Sequence, residues 1–200
     1  MKIIGLTGSI GMGKSVTAGL LRQMGIAVHD SDACVHQLLS PGQKAYDLVI
    51  QRFHDIADPA SGQIDRKKLG ELVFPNPAHK RDLEAILHPL VQESQRDFIA
   101  RETERGSEAV ILDIPLLYET GADTRCDAVI CVSAPYFLQK SRVLKRPNMT
   151  PEKFAQILSQ QMPDAEKRKR ADFIVQTWLG RGFTRWQLKK ILHKLQIYST

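Results

Sequence analysis

Cysteine is scarce in this chain. Cys34, Cys126 and Cys131 are the only 3 in 200 residues, an odd number without C-x-x-C or similar ligand spacing, which argues against a disulfide framework or a cysteine-built metal site. Reduced thiols, buried or half-buried, are the expectation. Long apolar runs are missing too: no stretch approaches the roughly 20 residues that cross a bilayer. The first residues, MKIIGL, have neither the h-region nor the small-residue cleavage site of a secretory signal. A cytoplasmic location with no membrane partner is therefore expected. There is no internal repeat and no low-complexity linker.

What is present suits one sizeable core with room for a small appended subdomain: 42% of residues are apolar and 25% charged. The net charge of +6 favours polyanionic ligands, either nucleic acid or small molecules carrying several phosphates. Much of the excess lies in SRVLKR (141–146) and EKRKRAD (166–172), where a solvated helix face is the plain alternative. No nucleic-acid recognition motif accompanies the charge, so no nucleic-acid partner is expected, and no protein partner is evident.

Five short runs rich in Val and Ile read as strands: KIIGL (2–6), IAVH (26–29), AVILDI (109–114), DAVICV (127–132) and DFIV (172–175). None alternates cleanly with polar residues, which predicts burial on both faces, as in a parallel sheet. Helical patterns lie between them at 14–24, 135–146 and 76–106, the last bent or interrupted by Pro89. Alternation of this kind specifies a doubly wound α/β domain around a five-stranded parallel sheet. Residues 41–106 hold two or three helices and no convincing strand, too much for one crossover. They predict a helical insertion over the carboxyl ends of the strands, where ligands bind in open sheets. A second, basic helical insertion at 145–170 predicts a lid. A single domain results, with core 1–40, 107–144 and 171–200, and two flaps suited to closing on a substrate.

The stretch GSIGMGKS (Gly8–Ser15) matches G-x-x-x-x-G-K-[ST] at every fixed position, after an apolar strand and before an amphipathic helix. Glycines let such a backbone turn tightly and aim successive N–H groups inward, and the helix dipole adds positive potential. Gly8, Gly11, Met12, Gly13, Lys14, Ser15 and Val16 form the predicted ATP-binding set. Lys14 reaches the β- and γ-phosphates, and the Ser15 hydroxyl takes one position on Mg²⁺. D-x-x-G, N-K-x-D and LSGGQ are all absent, which excludes a GTPase and an ABC-type ATPase. A small kinase remains, or a binding module without catalytic groups.

After the second strand stand Asp30 and Asp32. Carboxylates at this edge can accept a hydroxyl proton or hold Mg²⁺ through water, or one of them, with Ser31, simply caps the next helix. Arg142 and Arg146, spaced i, i+4, are predicted to share a helix face and to stabilise charge on a transferring phosphoryl group, unless that face is merely solvated.

At these residues the chain resembles the dephospho-coenzyme A kinases. The similarity runs from GLTGSIGMGKS (5–15) through DSD (30–32), HPLV (88–91), PLLYE (115–119) and SRVLKRPNMT (141–150) to RADFIV near the end. The resemblance implies a P-loop nucleoside-triphosphate-binding fold and transfer of the ATP γ-phosphate to the ribose 3′-hydroxyl of dephospho-coenzyme A. It places Asp32 as general base or hydroxyl orienter and Thr7 near the same hydroxyl. His88, Pro89, Pro115, Leu116, Leu117 and Glu119 line the acceptor pocket, the leucines more by packing than by contact. His88 and Pro89 could equally be a helix bend alone. Asp113 sits where a Walker B-like Mg²⁺ ligand can lie, although the family does not fix it.

The chain departs from the family pattern at Ser9, at Met12 and in VQTWLGRG after the last strand. The last departure removes the usual adenine-side turn and leaves Trp178 to stack on a base or, as favoured, to pack. Another nucleoside or nucleotide kinase, or a nucleotide-binding regulator, stands as the alternative function. PLLYE and HPLV favour the first reading, and retention of Lys14, Ser15, Asp32, Arg142 and Arg146 argues against lost catalysis.

Overall fold

The structure, a computed structural model, describes residues 1–59, 61–73 and 75–197. The five apolar runs become β1 (Lys2–Thr7), β2 (Ala27–Asp30), β3 (Ala109–Asp113), β4 (Ala128–Ser133) and β5 (Phe173–Gln176), each within one residue of its expected bounds. They form one sheet in the order β2-β3-β1-β4-β5. β1 pairs in parallel with both β3 and β4, and β4 with β5. Every residue of β3 and β4 is buried, so the non-alternating apolar runs reflect cover on both faces.

One face is closed by α1 (Lys14–Gln23) and α9 (Gly180–Lys194), whose Leu20, Leu21, Leu188 and Ile191 join Ile4, Leu6, Ile111 and Ile130 in one apolar cluster. On the other face Gly5 is needed for close approach. A Cβ there would lie 3.1 Å from fully buried Leu117 and 3.0 Å from the Cys126 sulfur. α6 (Tyr136–Leu144), α7 (Pro151–Ser159) and α8 (Asp164–Arg170) fill the connection from β4 to β5. Thr150 caps α7 by accepting from the Lys153 N–H, and Pro151 opens it.

The chain divides into two compact units, Met1–His29 with Arg101–Thr200, and Asp30–Ala100. The second carries α2 (Ser31–Leu38), α3 (Tyr46–Arg52), α4 (Arg66–Val73) and most of α5 (Pro77–Glu104). Its own core gathers Val49, Phe53, Ile56, Leu69 and Leu87. α5 runs unbroken through Pro89, where an interruption was one expectation. Pro89 and Ala85 are both exposed, so the carbonyl four residues back, which loses its N–H partner, is open to water.

Two of the three thiols are shielded. Burial pushes Cys126 up to about 11 and Cys131 to about 12. Since the thiolate is the reacting form, a disulfide-exchange reagent at pH 8 is expected to modify Cys34 alone in the native protein and all three after denaturation. Fast native reaction at Cys131 would show that β4 is not shielded.

Candidate active site

At the end of β1 the chain turns into the glycine-rich loop, whose shape depends on two glycines. Gly11 has φ +78° and Gly13 φ +94°, left-handed conformations that side chains resist. A Cβ on Gly11 would lie 2.5 Å from Val143 Cγ2, and one on Gly13 3.0 Å from the Thr177 hydroxyl. α1 starts immediately afterwards with Gly13 as its N-cap and no side-chain cap. The first N–H groups of a helix have no intrahelical acceptor and attract anions. The loop therefore offers phosphate its backbone amides, with the Ser15 hydroxyl exposed in the first turn.

The Lys14 ammonium makes an ion pair with Asp113, the last residue of β3, which lies in register beside Leu6 of β1. The pair is well enclosed, its side chains 15% and 3% exposed. The acid at the end of the third strand thus holds the loop's cation.

Met12 and Ile10 are turned to other partners. The Met12 side chain lies in the core beneath the loop, where its sulfur accepts from the Ala134 N–H at 3.1 Å, and its own N–H donates to Ser9 O at 3.1 Å. Ile10 is gripped from both sides: its N–H donates to Gln161 Oε1 at 3.1 Å, and its carbonyl accepts from Gln139 Nε2 at 2.9 Å. Val16 is exposed on α1, and Gly8 is buried where the loop leaves β1.

Arg142 and Arg146 do not share a helix face. α6 ends at Leu144 with Lys145 as C-cap, and the Arg146 N–H closes a turn onto Val143 O. The reason is Pro147, which disfavours helical geometry in the residue before it. The Arg142 guanidinium donates to the Thr177 hydroxyl at 3.1 Å, Thr177 O at 2.9 Å and Gly11 O at 3.4 Å. Arg146 is exposed.

Thr177, which sequence patterns did not single out, is the hub of this side. Buried, it donates its hydroxyl to Met12 O at 2.6 Å and its N–H to Ser133 O at 3.1 Å. Nothing in VQTWLG marks it, because its role comes from contacts with residues far away in sequence. Its neighbour Trp178 is 47% exposed, against the favoured expectation that it packs.

The PLLYE turn follows β3. The Pro115 carbonyl accepts from the Thr7 hydroxyl at 3.1 Å and from Lys167 Nζ at 3.0 Å. Leu116 is half-buried and Leu117 fully buried. The Glu119 carboxylate is held within the chain, by Lys167 at 2.9 Å and by the Met162 N–H at 2.7 Å. Lys167 lies in the basic run 166–172, where a solvated face was the plain alternative. Arg168, Lys169 and Arg170 are exposed there, while Lys167 is completely buried. A cavity of about 700 Å³ opens beside the loop near Ser133, Tyr136, Leu158 and Asp164, and neither Lys14 nor Ser15 lines it.

In the second unit, Asp30 is the N-cap of α2, its carboxylate accepting from the Ala33 N–H at 2.9 Å. Ser31 is buried and accepts from Gln95 Nε2 at 3.0 Å. Asp32 is exposed in the first turn, and His88 and Pro89 are exposed on α5.

A family model described as dephospho-CoA kinase matches residues 2–178. A dephospho-CoA kinase of Paramagnetospirillum magneticum is 51% identical over 168 residues, covering 84% of this chain and 78% of that protein. One from Agrobacterium fabrum is 49% identical over 198 residues, covering 98% of each. Among solved structures, a Thermus thermophilus protein superposes with a TM-score of 0.86 at 33% identity, covering 97% of each chain. The dephospho-CoA kinase of Campylobacter jejuni gives 0.70 at 26%, covering 96% of each.

Proposed function

The chain belongs to the dephospho-CoA kinase family, and from that premise we propose how its residues carry out the transfer. It is a P-loop kinase that moves the γ-phosphate of ATP to the ribose 3′-hydroxyl of dephospho-coenzyme A, the final step of coenzyme A biosynthesis. The observation that carries this reading is the family match across residues 2–178, which takes in the phosphate loop, the PLLYE turn and the lid segment together.

We propose that the amides of Gly11, Gly13, Lys14 and Ser15 cradle the phosphates of ATP, with Gly8 and Val16 flanking them and Met12 supporting the loop from beneath. When the triphosphate arrives, Lys14 exchanges part of its pairing with Asp113 for the β- and γ-phosphates. The acceptor hydroxyl oxygen attacks the γ-phosphorus in line, and the bond from that phosphorus to the bridging oxygen breaks, releasing ADP without a phosphoenzyme. Asp32 takes or orients the hydroxyl proton. Thr7, His88, Pro89, Pro115, Leu116 and Leu117 form the acceptor surfaces, and Glu119 contributes by holding its turn. The lid 145–170 closes and excludes water. Arg146 then meets the transferring phosphoryl group, while Arg142 keeps the loop joined to Thr177.

Among the described residues no group of three or more His, Cys, Asp or Glu could hold a metal ion alone. Mg²⁺ needs no such cage, since it commonly takes one or two protein oxygens plus substrate phosphates. The Ser15 hydroxyl and the Asp113 carboxylate are donors of that kind. When bound, the ion neutralises charge on the β- and γ-phosphates.

The test is ADP formation with Mg·ATP in the presence of dephospho-coenzyme A, adenosine or AMP. The expected result is ADP only with dephospho-coenzyme A, and a product heavier by one phosphoryl group. ADP formed with another acceptor instead would keep the kinase and discard this acceptor.

A further inference from the structure

Lys167 is 0% exposed and ranks among the largest fully buried side chains. Burying an ammonium is costly even when it is paired, and an apolar side chain of similar volume often serves stability as well or better. A buried lysine in an otherwise exposed basic run therefore calls for a reason other than stability. Its contacts supply one.

The ammonium bridges two groups of the PLLYE turn, the Glu119 carboxylate at 2.9 Å and the Pro115 carbonyl at 3.0 Å. The same Pro115 carbonyl accepts from Thr7, the last residue of β1 before the phosphate loop, at 3.1 Å. The Glu119 carboxylate in turn accepts from the Met162 N–H at 2.7 Å. Met162 follows Gln161, which grips the Ile10 N–H of the loop at 3.1 Å. From Lys167 one chain of hydrogen bonds runs to the base of the loop through Pro115 and Thr7. The other reaches the loop's apex through Glu119, Met162, Gln161 and Ile10. The ring closes through residues 7–10, the stretch that leads from β1 into the phosphate loop.

We propose that Lys167 is a positioning residue for the phosphoryl transfer. By holding Glu119 and the Pro115 carbonyl together, it sets the PLLYE turn, the connection between α7 and α8, and the apex of the phosphate loop against one another. It touches no substrate. The alternative, a pair that serves folding alone, predicts a different response to substitution.

The inference rests on the reading that the chain phosphorylates dephospho-coenzyme A, so wild-type turnover of that acceptor is the control. The informative variant is the full-length double substitution Lys167→Met with Glu119→Met, because it removes the 19% exposed carboxylate together with the buried ammonium and so leaves no unpaired charge inside. It is expected to fold and to bind Mg·ATP within about threefold of wild type. Its kcat should fall by about 10- to 100-fold, as small misplacements of reacting groups produce. Hydrogen exchange at the Ile10 amide should quicken by about tenfold, the response a purely structural pair would not give. Wild-type kcat in a folded double variant overturns the proposal, as does a loss of kcat with Ile10 exchange unchanged. Should the double variant not fold, Glu119→Gln carries the same two readouts. It keeps an oxygen for the Met162 N–H and removes the charge that fixes Lys167. If the wild-type protein does not use dephospho-coenzyme A, the acceptor reading fails, and Ile10 exchange still decides whether the ring holds the loop.

Discussion

Asp32→Asn is expected to lower turnover of dephospho-coenzyme A by about 10²–10⁴-fold, the usual value of a general base, while Mg·ATP binds within about threefold of wild type. The two nearby carboxylates stand in different settings. Asp30 accepts the Ala33 N–H and caps α2, whereas Asp32 is exposed in the first turn. Asn keeps the volume and hydrogen-bonding reach of Asp but cannot take a proton. Asp30→Asn is the matched control, since Asn and Asp cap helices about equally well, and it should leave turnover within about a few-fold of wild type. Retention of more than about a tenth of the activity in Asp32→Asn would remove Asp32 from the proton's path.

A second large effect is expected at Lys14. Lys14→Met should reduce kcat by at least about 10²–10³-fold, the cost of losing one preorganised electrostatic contact to developing charge, and should weaken Mg·ATP binding as well. It also acts on the free protein. Because the Lys14–Asp113 pair is well enclosed, removing its cation costs about 3–5 kcal/mol, which for a chain of this size lowers Tm on the order of 10 °C. Adding Asp113→Asn to Lys14→Met should recover part of that Tm and none of the activity. An unchanged Tm in Lys14→Met would mean that Asp113 does not depend on this ammonium in solution, and its place as the loop's counter-charge would be lost.

Much of the fold was legible in local pattern. Short β-branched runs such as AVILDI and DAVICV can be buried only where a sheet is covered on both faces, and the strands formed within a residue of those runs. The glycine-rich loop was legible because tight turns with positive φ leave so few residue choices. Local reading failed where chain geometry interrupts a repeat. The i, i+4 spacing of Arg142 and Arg146 implied one face, yet Pro147 ends the helix between them. Pro89 suggested a bend or a break, and α5 runs through it without interruption.

Residue order alone carried the strand and helix alternation, the phosphate-binding loop and, through motifs spread from Gly5 to the last strand, the kinase family. Packing set Asp113 against Lys14, joined Arg142 to the loop through Thr177, brought Glu119 onto Lys167 and the Met162 N–H, and wholly buried one lysine of a basic run. The difference is physical. Strand pattern and loop conformation follow from neighbouring residues, whose constraints act over a few bonds. The partner of a buried charge is chosen by the packing of segments 99 residues apart for Lys14 and Asp113, and 48 for Lys167 and Glu119, a distance over which no local pattern carries information.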